Sequence, residues 1–320
     1  MPSVTLGVDL GGTKVRAALV DAGGSIAWVE ERPTEAEKGY EAVVATICGL
    51  VSGGLRAHGG RAEAVGVGVA GQVEGGSGRV RSAPNLRWFD VDLAGDLSRS
   101  LGLPVRVTND VRAAAWGEWR HGAGEGRADM ICLFVGTGVG GGVVSGGRML
   151  EGANNTAGEL GHTALLFGGR KCSCPGRGCL EAYVGGWAIA ERAREAAALD
   201  KAGGAALIAL AGEARAVTAK HVAQLAARGD GFCRALMKET AEYLATGIAG
   251  MVNAFSPSVV VLGGGVVEGN PSLLDEVARR VPSLALAAAA QGVLFAKAKL
   301  GPDSGVVGAA AMARHRLEES

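Results

Sequence analysis

Residues 131–181 read ICLFVGTGVGGGVVSGGRMLEGANNTAGELGHTALLFGGRKCSCPGRGCLE. An apolar run from Met130 to Val135 leads into Gly136-Thr137-Gly138-Val139-Gly140-Gly141-Gly142, and Val143-Val144-Ser145 follows as a second extended run. A buried strand, a glycine turn and a returning strand form the pattern of a β-hairpin. Gly136, Gly138 and Gly141 satisfy G-x-G-x-x-G, but so do Gly66, Gly68 and Gly71. A dinucleotide fingerprint needs a helix directly after its glycines, and here a strand follows. The expectation is a hairpin tip whose backbone N–H groups cradle a phosphate.

The same stretch carries His162, Cys172, Cys174 and Cys179, spaced H-x9-C-x-C-x4-C. Zinc prefers four tetrahedral N and S ligands in a closed site, so the predicted site is structural rather than catalytic. Pro175, Gly176 and Gly178 supply turn chemistry between the ligands. Disulfides fit poorly, because three cysteines leave one over and a C-x-C pair is badly spaced to bridge itself. Arg170, Lys171 and Arg177 make the segment polar and basic, which argues against three inert buried thiols.

Residues 4–20, VTLGVDLGGTKVRAALV, repeat the strand, glycine turn, strand pattern. They resemble a Walker A loop only superficially. After Gly7 and Gly12 the order is Thr13-Lys14 and no helix follows. Gly11 and Gly12 permit close backbone approach, Thr13 offers a hydroxyl, and Asp9 can hold Mg²⁺ through water. A plain Asp-Gly-Gly hairpin turn is the bland alternative. Two such hairpins from two halves of a chain could clamp a nucleotide tail between them.

The 320 residues suffice for two domains, each with its own core. Lys+Arg equals Asp+Glu at 32 each, so no net field steers the chain to nucleic acid or an anionic membrane. No apolar run approaches the ~18 residues of a membrane span. Met1-Pro2-Ser3-Val4 does not open a signal peptide, and free cysteines beside a zinc site suit a reducing cytoplasm. The expected location is therefore cytoplasmic.

Further strands are expected over 25–31, 64–69, 105–108 and 259–266, and helices over about 38–57, from Ala113, over 181–198, over 232–255 and from about 304. Asn109-Asp110 falls at a strand-to-helix junction. There Asp110 is either the helix N-cap or a general base for a hydroxyl that attacks a γ-phosphate. Glu159 and Glu181 flank the zinc ligands, and with His162 they suit vicinal sugar hydroxyls. Asn85, after Pro84, offers a donor and an acceptor. Gly263-Gly264-Gly265 ends a buried strand, either as a tight turn or as a close approach to adenosine. Trp187, Tyr243 and Met251 read as core or subunit-interface residues.

The paired hairpins resemble those of the sugar kinase/actin/Hsp70 superfamily. The fuller set DLGGTK, APNL, ND, GTGVGGG, AGELGH, CSCPGRGCLE and VLGGGV is similar to that of ROK (repressor, open reading frame, kinase) sugar kinases, most of all bacterial glucokinases. The resemblance implies a two-domain actin-like α/β fold with a ligand cleft. Residues 1–115 with about 300–320 would form the small domain, and 116–299 the large domain with its zinc knuckle. It implies ATP-dependent phosphorylation of a hexose, most of all glucose to glucose 6-phosphate, with Asp110 as catalytic base. Asn85, Asn109, Asp110, Glu159, His162 and Glu181 would hold the sugar. Asp9, Gly11, Gly12, Thr13, Lys14, Gly136, Thr137, Gly138, Gly140, Gly263, Gly264 and Gly265 would hold ATP and Mg²⁺. His162, Cys172, Cys174 and Cys179 would hold zinc, and the assembly would be a homodimer or homotetramer.

One departure stands out. The family pattern Asn-Asp-Ala-Asn is Asn109-Asp110-Val111-Arg112 here, so an arginine replaces an amide beside the site. Kinases acting on N-acetylglucosamine, N-acetylmannosamine or fructose are the nearest alternatives. A sugar-sensing repressor is the distant one. With Asp9 nine residues from the start and no basic patch, the expectation leaves no room for a DNA-binding helix-turn-helix. A polyphosphate donor would favour a basic groove, which the neutral charge does not support.

Overall fold

The structure is a computed structural model that describes residues 4–59 and 61–318. The stretch Met1–Ser3, read above for a signal peptide, lies outside them. The chain opens with β1 (Val4–Leu10), β2 (Lys14–Asp21), β3 (Ile26–Pro33) and β4 (Val65–Val69). A small antiparallel sheet follows, of β5 (Gln72–Val73), β6 (Val80–Ala83) and β7 (Trp88–Val91), and then β8 (Val105–Asn109). The second half forms β9 (Met130–Val135), β10 (Val139–Ser145), β11 (Arg148–Met149), β12 (Val259–Gly263) and β13 (Leu294–Lys297).

Two five-stranded sheets result, ordered β3-β2-β1-β4-β8 and β11-β10-β9-β12-β13. Each begins with an antiparallel meander and adds two parallel strands beside its first. The central strands are buried on both faces, which is why β4 and β12 read as unbroken apolar runs.

Helices Tyr40–Ala57 and Leu93–Leu101 cover one face of the first sheet through Val43, Ile47, Leu50, Leu93 and Leu97. Helices Gly231–Phe255 and Ser272–Leu284 cover one face of the second. Helices Asp110–His121 and Ser304–Glu318 lie between the sheets, where Ala115, Trp116, Trp119 and Ala311 meet Met130, Cys132 and Val261. Backbones approach so closely there that a Cβ on Gly7 would stand 1.8 Å from the Val306 carbonyl oxygen, and one on Gly308 1.7 Å from that of Ala113. The final helix thus returns to the first sheet.

The chain crosses between the sheets twice, after His121 and after Lys297. One fully buried carboxylate ties both crossings. Glu118 accepts from the N–H groups of Ala123 at 2.9 Å, Lys299 at 2.9 Å and Leu300 at 2.8 Å. The helix expected over 181–198 is two, Glu181–Val184 and Gly186–Leu199, broken at an extended Gly185. Among the described residues no helix is long and apolar enough to cross a membrane.

Candidate active site

The two hairpins end in loops of equal length, Gly11-Gly12-Thr13 and Gly136-Thr137-Gly138. Each closes on itself, Gly11 N–H to the Lys14 carbonyl at 3.0 Å and Gly136 N–H to the Gly138 carbonyl at 2.9 Å. Among the described residues the N–H groups of Gly12, Thr13, Thr137 and Gly138 donate to no protein acceptor. Gly12 must be glycine, since a Cβ would stand 2.8 Å from Cβ of Asn85. That contact puts Asn85 beside the first tip. Lys14 is engaged elsewhere, in an exposed ion pair with Glu31 at 2.6 Å.

Asp9 is the penultimate residue of β1, in register with Gly68 of β4. Burial first, and then the nearby charge of Asp110, push its carboxyl up to about 6. The two aspartates therefore share one field. Asn109, not Asp110, caps the helix: its Oδ1 accepts from Arg112 N–H at 3.1 Å and its Nδ2 donates to the Gly71 carbonyl at 3.2 Å. Asn109, expected on the sugar, thus also caps the helix, and Asp110 stands at the first helical position. Burial pushes the Asp110 carboxyl up. The backbone N–H groups of Val111 and Asp110 oppose this, and Glu159 adds to the rise.

The second tip is braced from behind. Buried Glu181 accepts from Val139 N–H at 2.9 Å and Ser173 Oγ at 2.7 Å, and Trp187 Nε1 donates to it at 3.3 Å. The break at Gly185 lets Gly186 N–H reach the Gly136 carbonyl at 2.8 Å and Trp187 N–H reach that of Thr137 at 3.2 Å. Beside this tip lies a cavity of about 850 Å³, lined by Gly136, Thr137, Trp187, Gln224, Gly265 and Asn270 among others. Such a volume suits a nucleoside. Trp187, expected in the core or at an interface, packs partly buried against the core of the second half and also forms a wall of this cavity. Of the three strand-end glycines Gly265 lines the cavity. Gly263 and Gly264 do not, because a Cβ on Gly263 would meet the Phe134 ring at 2.8 Å and Gly264, at φ +89°, lies over the Val135 carbonyl. Gly140 packs on Val111.

The four expected ligands come together as the spacing predicts. Ligand atoms of His162, Cys172, Cys174 and Cys179 lie within 4.8 Å of one another. His162 Nδ1 stands 3.6 Å from Cys172 Sγ, and Cys174 Sγ 3.6 Å from Cys179 Sγ. These separations far exceed a disulfide's ~2.05 Å and match the edges of a tetrahedron around a ~2.3 Å Zn–S bond. With Nδ1 turned to the sulfurs, Nε2 of His162 faces away from the knuckle. Glu159 precedes His162 in one short turn, its carbonyl accepting His162 N–H at 3.1 Å.

Arg112, flagged only as a departure in sequence, is buried at 6% exposure. Its guanidinium donates to Asn155 Oδ1, and at 2.9 Å each to the carbonyls of Asn155 and Ala157.

These parts define the class: two five-stranded sheets of one α/β design, each with a glycine-tipped hairpin, matching the ROK glucokinase structures, which are two-domain actin-like sugar kinases. Residues 5–316 match the ROK family, and the chain belongs to it. A glucokinase of Streptomyces coelicolor is 34% identical over 313 residues, covering 97% of this chain and 98% of its own. An N-acetylmannosamine kinase of Escherichia coli O157:H7 is also 34% identical over 313 residues, with the same two coverages. The structure of a ROK family glucokinase from Streptomyces griseus in complex with glucose and AMPPNP matches with a TM-score of 0.83 at 35% identity, covering 98% of this chain and 100% of that one.

Proposed function

We propose that the protein is an ATP-dependent hexose kinase that converts glucose to glucose 6-phosphate. The observation that carries this is Asp110. Asn109 takes the cap, and Asp110 is a partly buried carboxylate of raised proton affinity in the field of Asp9 and Glu159. In this reading Asp110 accepts the proton of the sugar 6-hydroxyl while that oxygen bonds to the γ-phosphorus. The bond from phosphorus to the β–γ bridging oxygen breaks, and ADP leaves. A base of this kind contributes about 10²–10⁴-fold.

The free N–H groups of Gly12, Thr13, Thr137 and Gly138 would hold the phosphates, and the cavity against Trp187 the adenosine. Asp9 would hold Mg²⁺, which when bound would neutralise phosphate charge. His162, Cys172, Cys174 and Cys179 would hold zinc, which fixes the knuckle and so presents Glu159, Nε2 of His162 and Glu181 to sugar hydroxyls. A cytoplasmic homodimer or homotetramer, its two domains divided as read from the sequence, completes the reading.

N-acetylmannosamine phosphorylation is the second reading, favoured by the equal identity to the Escherichia coli kinase. An ADP-release assay with ATP, Mg²⁺ and a panel of glucose, mannose, fructose, N-acetylglucosamine and N-acetylmannosamine separates the two. Glucose should lead in kcat/KM. Asp110→Ala should lose at least about 10²-fold in kcat while still binding sugar by calorimetry. A variant with near-normal kcat would sink the assignment of the base.

A further inference from the structure

Residues 150–158 run from β11 to the turn of Glu159 without helix or strand of their own. Arg112 orders them. It leaves the first turn of the Asp110–His121 helix and spends three N–H donors on this strap: one on the Asn155 side chain, two on the carbonyls of Asn155 and Ala157. Asn155 sits at φ +55°, the left-handed region that Asn tolerates better than most residues. Its Nδ2 then donates to the Val73 carbonyl in β5, at 2.9 Å. A single relay thus joins the helix headed by Asp110, the strap that ends on Glu159, and the small sheet of the first half. An asparagine at 112 would carry two N–H donors against the three that Arg112 uses. The charges facing the guanidinium are Glu151 and Glu159, which oppose the loss of its proton on burial.

We propose that Arg112 is a positioning residue for the sugar: it clasps the strap so that Glu159 is presented to the hexose at a fixed place. The inference rests on the hexose-kinase reading. A wild-type enzyme silent towards every hexose sinks that reading, and this one with it, before any variant is made.

The clasp is tested in two arms on the full chain. In the first, amide hydrogen exchange across 151–159 is read without ligands. Arg112→Ala should speed it, while exchange in β1, β4 and β12 stays unchanged. In the second, steady-state kinetics are split. Arg112→Ala should raise the sugar KM about 10–100-fold, with the ATP KM within about threefold. Arg112→Lys keeps the charge but loses the planar fork, and should fall between. Asn155→Gly keeps the backbone conformation, removes the relay, and should reproduce part of the same KM effect with little change in thermal midpoint. Unchanged exchange in the strap, or an unchanged sugar KM, overturns the proposal. So does a loss spread equally over kcat, both KM values and stability, which marks a residue that merely holds the fold.

Discussion

The two hairpin tips have loops of the same length, yet different things stand behind them. At the penultimate strand position the first has Asp9, opposite Arg16, and the second has Phe134, opposite Gly140. The first tip is braced from its own sheet: Thr34, the residue after β3, donates its hydroxyl to the Gly11 carbonyl at 2.7 Å and its N–H to that of Thr13 at 2.9 Å. The second is braced by Glu181, two residues beyond the last knuckle cysteine, and by the helix that starts at Gly186. One tip therefore carries charge and stands on its sheet. The other is uncharged and depends on the knuckle.

The largest expected effect follows from that dependence. Stripping the metal, or Cys174→Ser, should loosen Glu181 together with His162. The variant should lose metal by elemental analysis and fall about 10²-fold or more in kcat/KM, with both the sugar KM and the ATP KM raised. A merely local knuckle would raise the sugar KM alone, and a fully active metal-free protein would remove the knuckle from the mechanism.

A second effect separates the tips by pH. The folded Asp9 carboxyl is raised from 3.8 to about 6, so between those values the folded state binds the proton more tightly than the unfolded chain does. Stability contributed by the protonated form is present below pH 4 and is lost as pH rises to 6. At neutral pH the charged form costs on the order of 3 kcal/mol. Binding Mg·ATP would offset that cost only with the carboxylate ionised. The ATP KM should therefore rise as pH drops below 6, and Asp9→Asn should give a raised KM that no longer varies there. If Asp9→Asn keeps the wild-type pH profile, the titration belongs to another group.

The comparison also explains what could be read from the sequence. Strands, hairpin glycines and the Asn109-Asp110 junction were legible because their signals are contiguous. The knuckle was legible because three of its four ligands fall within eight residues. What was not legible depended on register or distance. Lys14, beside Thr13 in sequence, belongs to Glu31 because of how β2 pairs with β3. The run of helix formers around Trp187 hid the break at Gly185; the Gly185-Gly186 pair itself was the available signal. Arg112 has no local partner, since the groups it holds lie 43 and 45 residues on.

The smallest effect tests whether the first tip is as self-sufficient as its bracing implies. Thr34 is 1% exposed, and Thr34→Val keeps its shape while deleting the hydroxyl. The Gly11 carbonyl loses one partner, at a cost of about 1 kcal/mol in stability. Because Thr34 N–H still holds the Thr13 carbonyl, the tip should keep its conformation, with the ATP KM within about threefold of wild type. A tenfold rise would mean that the first tip leans on one side chain rather than on its sheet, and the contrast between a sheet-borne and a knuckle-borne tip would fail.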